Sequence, residues 1–251
     1  MMIRFTIILA TASLALASSY AVLADTTVMQ AVPSDVHKAK ALKLAGILNS
    51  EAIIIGDDAS DAKTAAFMQE LISSDPELVE LDRDDPGIVR EIARVAMPII
   101  NKYYRIRLPE LHARQSDLYF RNFSEQEIDR LIAFYASPTG QKMITLTMDN
   151  LQPNAVIEEL KSSGDWKTSS ESVLTDIRRT IPGTMAAMTD ADLKEMEKLM
   201  QSGLLVRMKK IANETQTIAL TWMDETAPGE DEEMAEAMSA LFERRAEKEV
   251  K

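Results

Sequence analysis

The chain has 251 residues, of which 40 are acidic and 28 basic, for a formal net charge of −12. An acidic chain of this kind lacks the basic surface that nucleic-acid binding requires. It contains no cysteine, which excludes disulfides and thiolate metal sites. Eight glycines and nine prolines among abundant Ala, Leu, Glu, Lys and Met favour helices over sheet. We therefore predict an all-α protein.

The first residues have the pattern of a signal peptide. Arg4 precedes an apolar run over 5–17, and small residues follow it. We predict cleavage after Ala24, so that 1–24 is removed; cleavage after Ala21 and an uncleaved membrane anchor are the alternatives. The run is short and rich in alanine and serine, which favours cleavage and a periplasmic or secreted mature protein without an integral membrane segment.

Residues 25–85 are predicted to form N-terminal helices. One helix begins at Asp35, a candidate N-cap, and a second spans 60–72. We interpret the short apolar run 52–55 as a buried helix end rather than a strand. The segment 75–87 is predicted to be a charged connector. The apolar face of the first helix would comprise Val36, Ala39, Leu42, Leu44, Ile47 and Leu48.

A first helical unit is predicted over 86–160, and it opens with a long helical region. Pro98 and Pro109 remove backbone donors within this region, so we expect them to kink or break the helix. Apolar residues recur there at helical spacing, which predicts one face packed against a neighbour. This stripe comprises Ile88, Ile92, Val95, Ile99 and Tyr103.

Two further helix starts follow in the first unit. Ser124 and Glu127 have the spacing of a capping box, in which each side chain accepts a bond from a backbone N–H. Phe123 precedes them, where a hydrophobic staple begins. Ser137 is then predicted to cap the next helix, with Pro138 at its first position, where a missing N–H costs nothing.

The same arrangement recurs at a constant offset further along the chain, over 161–223. We interpret it as a degenerate internal duplication of a helix–break–helix unit within a bundle of helical hairpins. A chance alignment of two amphipathic hairpins is the alternative. The aligned pairs include Phe123 with Met188, Ser124 with Thr189, Glu127 with Asp192, Leu131 with Met196, Ser137 with Ser202, Lys142 with Arg207 and Met143 with Met208.

Residues 224–251 are predicted to form an acidic linker and a terminal amphipathic helix. Acidic residues cluster at 230–233 and basic residues follow, which is the order that the helix dipole favours. The apolar residues between them have the i, i+3, i+4, i+7, i+8 spacing of a helix face. They are Met234, Ala237, Met238, Leu241 and Phe242.

One segment resembles a known family. It contains Tyr-Phe-Arg-Asn-Phe-Ser-Glu-Gln-Glu-Ile over 119–128 and Phe-Tyr-Ala-Ser-Pro-Thr-Gly-Gln-Lys over 134–142. This pattern over 119–142 is similar to domain of unknown function 2059, and the similarity extends more loosely over about 90–155, although Ile128 stands where that family has leucine. The resemblance implies a small helical domain, usually behind a signal peptide, and it implies no activity or catalytic residue.

We interpret the residues of this motif as structural. The two aromatic side chains at the end of a helix supply a large buried area, and the Ser-Pro-x-Gly run sets the start of the next helix. A binding role is the alternative. The motif residues are Tyr119, Asn122, Phe123, Ser124, Glu127, Phe134, Tyr135, Ser137, Pro138, Gly140 and Lys142.

Reactive constellations do not stand out in the sequence. His37 and His112 lie far apart and lack partners at metal-ligand spacing. The run 82–87 has part of a calcium-loop pattern, but Ala93 occupies the position of its bidentate glutamate. The aspartates at 57, 58 and 61 are interpreted as a solvated loop. Methionines in the second unit favour an adaptable core over a copper site. We predict no metal and no cofactor.

Charge is segregated along the chain, because residues 86–122 contain seven arginines and lysines but three acids. We hypothesise that this basic helix receives the acidic tail, of its own or a second chain, or an anionic partner; a solvated face is the alternative. The candidate interaction residues are Arg94, Arg105, Arg107, Arg114, Met234, Met238, Leu241 and Phe242.

These patterns favour a non-enzymatic envelope protein that acts through protein–protein contacts, as an adaptor, a chaperone-like protein or an envelope-maintenance factor. A second copy of the chain, in a homo-oligomer, is one candidate partner. The first alternative is a cell-wall enzyme that uses a lone glutamate as its acid. The second is a carrier of apolar ligands between helices. Neither alternative is tied to a particular residue.

Overall fold

A computed structural model describes residues 35–56, 76–163 and 168–249. Within these ranges the regular structure consists of eleven helices and contains no strand, which confirms the predicted all-α class. The predicted signal peptide, the predicted helix over 60–72 and the aspartates at 57, 58 and 61 lie outside the described residues. The helices are α1 (Asp35–Leu48), α2 (Glu51–Ile54), α3 (Pro76–Asp84), α4 (Ile88–Asn122), α5 (Glu125–Tyr135), α6 (Pro138–Asn150), α7 (Asn154–Ser163), α8 (Ser170–Ala186), α9 (Asp190–Gln201), α10 (Leu204–Asp224) and α11 (Glu230–Glu249).

Helix α4 is the longest of the described helices, with 35 residues and a length of about 50 Å. It runs through both Pro98 and Pro109, so of the two predicted outcomes, a kink or a break, the break is wrong. Both prolines are exposed. A backbone carbonyl that loses its helical donor at such a position can bind water instead, which is why the helix tolerates them.

The segment predicted as a charged connector is in fact largely helical. Helix α3 begins at Pro76, where a proline is tolerated, and buries Leu78 against Ile88 and Val89 of α4. The turn into α4 requires Gly87, whose φ is 86°. Its N–H donates to Asp82 Oδ1 at 3.0 Å, so this carboxylate closes a turn.

Helix α1 lies antiparallel to α4 and covers α5. Its predicted apolar face is partly wrong, because Val36 and Leu42 are exposed. The face that is buried has small residues, which let the helices approach closely. It comprises Ala41, Leu44, Ala45 and Leu48. The run 52–55 contributes one buried helical turn with Ile53 and Ile54, as predicted.

Both histidines of the chain attach α1 to α4. His37 on α1 shares a 2.9 Å hydrogen bond with the carbonyl of Phe123, just after α4 ends. His112 on α4 shares a 2.7 Å bond with the carbonyl of Asn49, just after α1 ends. Between them, Asn49 Nδ2 donates to the buried Gln115 Oε1 at 2.5 Å. The two histidine bonds satisfy backbone carbonyls at helix ends, where no intrahelical donor is available.

The main core lies around the C-terminal half of α4. There α1, α5, α6, α8, α9 and α10 bury one continuous cluster that includes Leu118, Tyr119 and Tyr135. A second cluster surrounds Trp222 of α10, whose ring lies 5.0 Å from that of Tyr104. The N-terminal half of α4 contributes Ala96, Ile100 and Tyr104 to this second cluster, and on another face it packs on α3 and α11. Helices α3 and α11 are therefore the partners that distinguish this half of α4.

Candidate functional site

The motif residues lie at the junction of α4, α5 and α6. The predicted capping box is present: the backbone N–H of Ser124 donates to Glu127 Oε2 at 2.8 Å, and that of Glu127 donates to Ser124 Oγ at 3.4 Å. Ser137 Oγ accepts a bond from the N–H of Gly140 at 3.1 Å, with Pro138 at the first position of α6. Both helix starts thus form as the sequence predicts.

Gly140 is required because α6 begins in contact with the end of α5. A Cβ atom at this position would lie 2.1 Å from the carbonyl oxygen of Phe134 and 2.7 Å from the Cα of Tyr135. No side chain fits in that space. The glycine therefore sets how closely the two helices approach, and Phe134 and Tyr135 are buried as a result.

The aromatic residues of the motif are core residues. Tyr119 and Tyr135 are fully buried, and burial raises the pKa of both phenols, so they stay neutral. Tyr119 Oη donates to Gln115 Oε1 at 3.3 Å. Phe123 is buried as well, and Asn122 Nδ2 donates to the carbonyl of Leu118 at 2.8 Å.

The two predicted units exchange ion pairs. Lys142 Nζ lies 2.8 Å from Asp192 Oδ2, and Arg207 pairs with Glu127. In the alignment of the two units, Lys142 corresponds to Arg207 and Glu127 to Asp192. Each contact is therefore the counterpart of the other. Helix packing follows the same pattern, because α6 packs against α8 and α10 packs against α4.

Each of these acids also caps its own helix. Thr189 and Asp192 form a second capping box at the start of α9, and Asp192 accepts a further bond from Thr139 Oγ1 at 3.0 Å. The hydrogen bond from Lys142, followed by those from Thr189, holds the pKa of Asp192 well below its usual range. Such reciprocity is typical of two copies packed about a twofold axis. The duplication itself stays a prediction, and Met200 is exposed where its counterpart Tyr135 is buried.

The basic residues of α4 bind acids of the same chain. Arg107 and Arg114 both contact Glu225, with Nη2 to Oε2 distances of 2.9 and 2.6 Å. The hydrogen bond from Arg114 lowers the pKa of Glu225. Arg107 also lies over the ring of Trp222 at 5.2 Å. Arg105 pairs with Glu51, whereas Arg94 is exposed.

The terminal helix α11 covers the apolar stripe of α4, defined by Ile88, Ile92, Val95, Ile99 and Tyr103 and called the α4 stripe below. Leu241 is buried against α3 and α4, and Met234 and Met238 are half-buried on the stripe. Phe242 is 49% exposed. Helix α11 thus lies on α4 within a single chain, and the hypothesis that the basic residues of α4 serve to receive the acidic tail stays a prediction.

Ion pairs hold both ends of α11. Glu233 Oε2 accepts bonds from Lys102 Nζ at 2.5 Å and from Tyr103 Oη at 3.0 Å. The bond from Lys102 lowers the pKa of Glu233. Near the other end, Arg245 pairs with Asp85 and, at 3.0 Å, with Glu91.

Glu225 was not identified from the sequence, since an isolated acid in an acidic segment has no distinguishing pattern. Its two arginine partners lie more than 100 positions away in the chain.

Within the described ranges, no three His, Cys, Asp or Glu residues are grouped as a metal site would require. None of the described helices is long and apolar enough to cross a membrane.

The Gly140 contact predicts a large effect of one methyl group. We expect Gly140→Ala to lower the free energy of unfolding by about 2 kcal/mol or more, because overpacking against backbone cannot relax. Gly46→Ala is the matched control. There the new Cβ would lie 3.8 Å from His112, in ordinary contact within α1, so stability should stay or rise by about 0.5–1 kcal/mol. Urea unfolding measures both, and equal losses would contradict this assignment.

The reciprocal pairs predict energetic coupling between the two units. Glu127→Gln keeps a capping acceptor but removes the charge that Arg207 binds. A double-mutant cycle with Arg207→Met should give a coupling energy of about 1 kcal/mol. The more exposed pair Arg121–Glu214 also joins two helices and should give a value near zero. Equal coupling in the two cycles would show that the Glu127 pair has no special role.

The lowered pKa of Asp192 predicts that part of the folding stability is lost at acid pH. Its pKa is lowered in the folded state, so its contribution to stability is present above the unfolded pKa of about 3.9 and is lost as pH falls toward the folded value. We expect Asp192→Asn to be less stable than the parent at neutral pH and to lose less stability below about pH 4. Urea unfolding at a series of pH values measures this, and parallel curves would contradict it.

Comparison with known families matches one part of the chain. No curated protein and no solved structure matches it. The model of one family, described as an uncharacterized protein conserved in bacteria (DUF2059), matches residues 109–152. This segment runs from the C-terminal half of α4 to the end of α6, and it includes the whole motif. The match confirms the resemblance found in the sequence, over residues 109–152 of the chain.

Proposed function

We propose that this protein is a secreted, non-enzymatic factor of the bacterial cell envelope that acts by binding other proteins through the α4 stripe. The observation that carries the proposal is the way the stripe is covered. A terminal helix lies over it, and Leu241 is the one described residue of that helix that is fully buried. Apolar helix faces of this kind are common protein-binding surfaces.

Helix α11 buries fewer of its side chains than the neighbouring helix α10 does. Lys102 and Glu233 are 51% and 37% exposed, and exposed ion pairs contribute about 0–1 kcal/mol each. Helix α10 instead buries residues along its whole length, including Trp222 and Met223. A cover with few buried side chains can open while the core stays folded.

The least exposed acids have structural partners, which supports a non-enzymatic function. Asp176 is 2% exposed and accepts bonds from the backbone N–H groups of Ala155 and Val156 at the start of α7. It also pairs with Arg179. Asp192 caps α9 and binds Lys142. Neither carboxyl is left to act as the lone acid of a cell-wall enzyme.

The location in the envelope follows from the N-terminal pattern. Arg4, the apolar run over 5–17 and the small residues before Ala24 favour export and cleavage. The absence of cysteine suits an oxidising compartment, where an unpaired thiol would be at risk. Loss of the segment 1–24 from the exported protein, measured by mass spectrometry, tests this part of the proposal.

Crosslinking in living cells tests the binding function. A photoreactive residue at Arg94 or Phe242, both exposed beside the α4 stripe, should capture one or a few envelope proteins reproducibly. Met200 on α9 is 39% exposed and is the matched control position. Equal capture at Met200, or none at the two stripe positions, would contradict the proposal. Release of fragments from purified peptidoglycan by the protein would favour an enzyme instead.

A further inference from the structure

We propose that the α4 stripe binds an amphipathic helix of a partner protein, and that α11 is an internal stand-in for that helix. This inference rests on the proposed function. The contacts of α11 define the ligand that the stripe accepts: an acid at one end of the helix, a basic residue twelve positions later and soft apolar side chains between them. The two charges are then about 18 Å apart along the axis.

The first contact point binds an acidic helix start. Lys102 and Tyr103 both donate to Glu233, in the first turn of α11. Gly229 precedes this turn with a φ of 83°, and a Cβ there would lie 3.2 Å from Tyr103 Oη. The site thus holds the acid and leaves little room around the chain that enters it. Negative charge at a helix N-terminus is also favoured by the helix dipole.

The second contact point binds a cation near the helix end. Arg245 reaches Asp85 and Glu91, which lie on opposite sides of the turn between α3 and α4, and it donates to the carbonyl of Pro86 at 3.0 Å. The two contact points have opposite charge. They therefore accept a helix in one direction only.

The apolar surface between the contact points suits more than one ligand. Met234 packs against the cluster of Ile99 and Tyr103, and Met238 packs against the cluster that contains Ile88. Methionine adapts its shape to irregular surfaces, so these seats do not require one particular side chain. Leu241 alone fills a closed position, next to Leu78.

The chain is arranged so that α11 can leave without loosening α10. Glu225 stays fixed by Arg107 and Arg114, and the segment Ala227-Pro228-Gly229 then connects it to α11. A helix on so short a linker has an effective concentration of the order of millimolar. The affinity for a partner helix is reduced by the fraction of time that α11 is docked. Partner binding is therefore weak until α11 is released.

A peptide experiment on the full chain tests this inference independently of any cellular partner. The probe is a fluorescent synthetic peptide of residues 229–249, and the loosened chain carries Met238→Ala with Leu241→Ala. We expect this chain to bind the peptide at least about tenfold more tightly than the parent chain, because its own helix competes less. Equal affinities would overturn the inference.

A charge exchange identifies the first contact point. Adding Lys102→Glu to the loosened chain should abolish binding of the peptide, and a peptide with Glu233→Lys should restore it. Lys198→Glu, on α9, is the matched control and should change nothing. If Lys102→Glu has no effect, or the altered peptide does not recover binding, the inference is wrong.

Two further measurements keep the outcome decisive. If the loosened chain doubles its mass in light scattering by exchanging α11 with a second copy, the occupant is that copy and the partner proposal is overturned.

Hydrogen exchange on the parent chain needs no variant. We expect amides of α11 to exchange at least about tenfold faster than those of α10, since α11 opens alone. Exchange of both helices at one rate would overturn the inference.

Discussion

Two carboxylates, Glu127 and Asp192, join the two predicted helical units of this protein, 86–160 and 161–223. Each completes the capping box at the start of its own helix and also binds a cation from the other half. The cap fixes where the carboxylate points, because one of its oxygens is held by a backbone N–H. The cation, Arg207 or Lys142, must then come to that position. A local signal that starts a helix therefore also sets the packing between helices.

The local part of this arrangement could be predicted from the sequence, and the long-range part could not. Ser124 and Glu127 are three residues apart, and their spacing carries the geometry of the cap. Their cation Arg207 is 80 positions away from Glu127. The internal alignment did pair Lys142 with Arg207, but only the structure shows that each binds the acid of the opposite half. Burial errors in α1 have the same origin, since periodicity finds a helix face but not the neighbour that covers it.

The predictions for the two prolines of α4 and for the segment 75–87 were wrong because the exposure of a residue to solvent cannot be read directly from the sequence. Pro98 and Pro109 were expected to kink or break α4, yet the helix continues through both; both are exposed, where water can bind the freed carbonyls. The segment 75–87 has many charges, and charge alone suggested a loop. Helix α3 nevertheless forms because Leu78 packs in one buried cluster with Ile88, Val89 and Leu241. Leu241 is distant in sequence. The sequence could predict the elements of the core better than those at its margin.

The structure thus divides α4 into two regions with different physical character. Its C-terminal half holds buried Gln115, bonded to Asn49 and Tyr119, inside a closed core, and loss of any partner there would leave a buried polar group unsatisfied. Its N-terminal half is covered by a helix with an exposed ion pair, Lys102–Glu233, where water replaces a lost partner at little cost. Helix α4 therefore has a closely packed C-terminal half and an N-terminal half that α11 covers with few buried side chains. The proposed binding of a partner helix without loss of the fold depends on this difference.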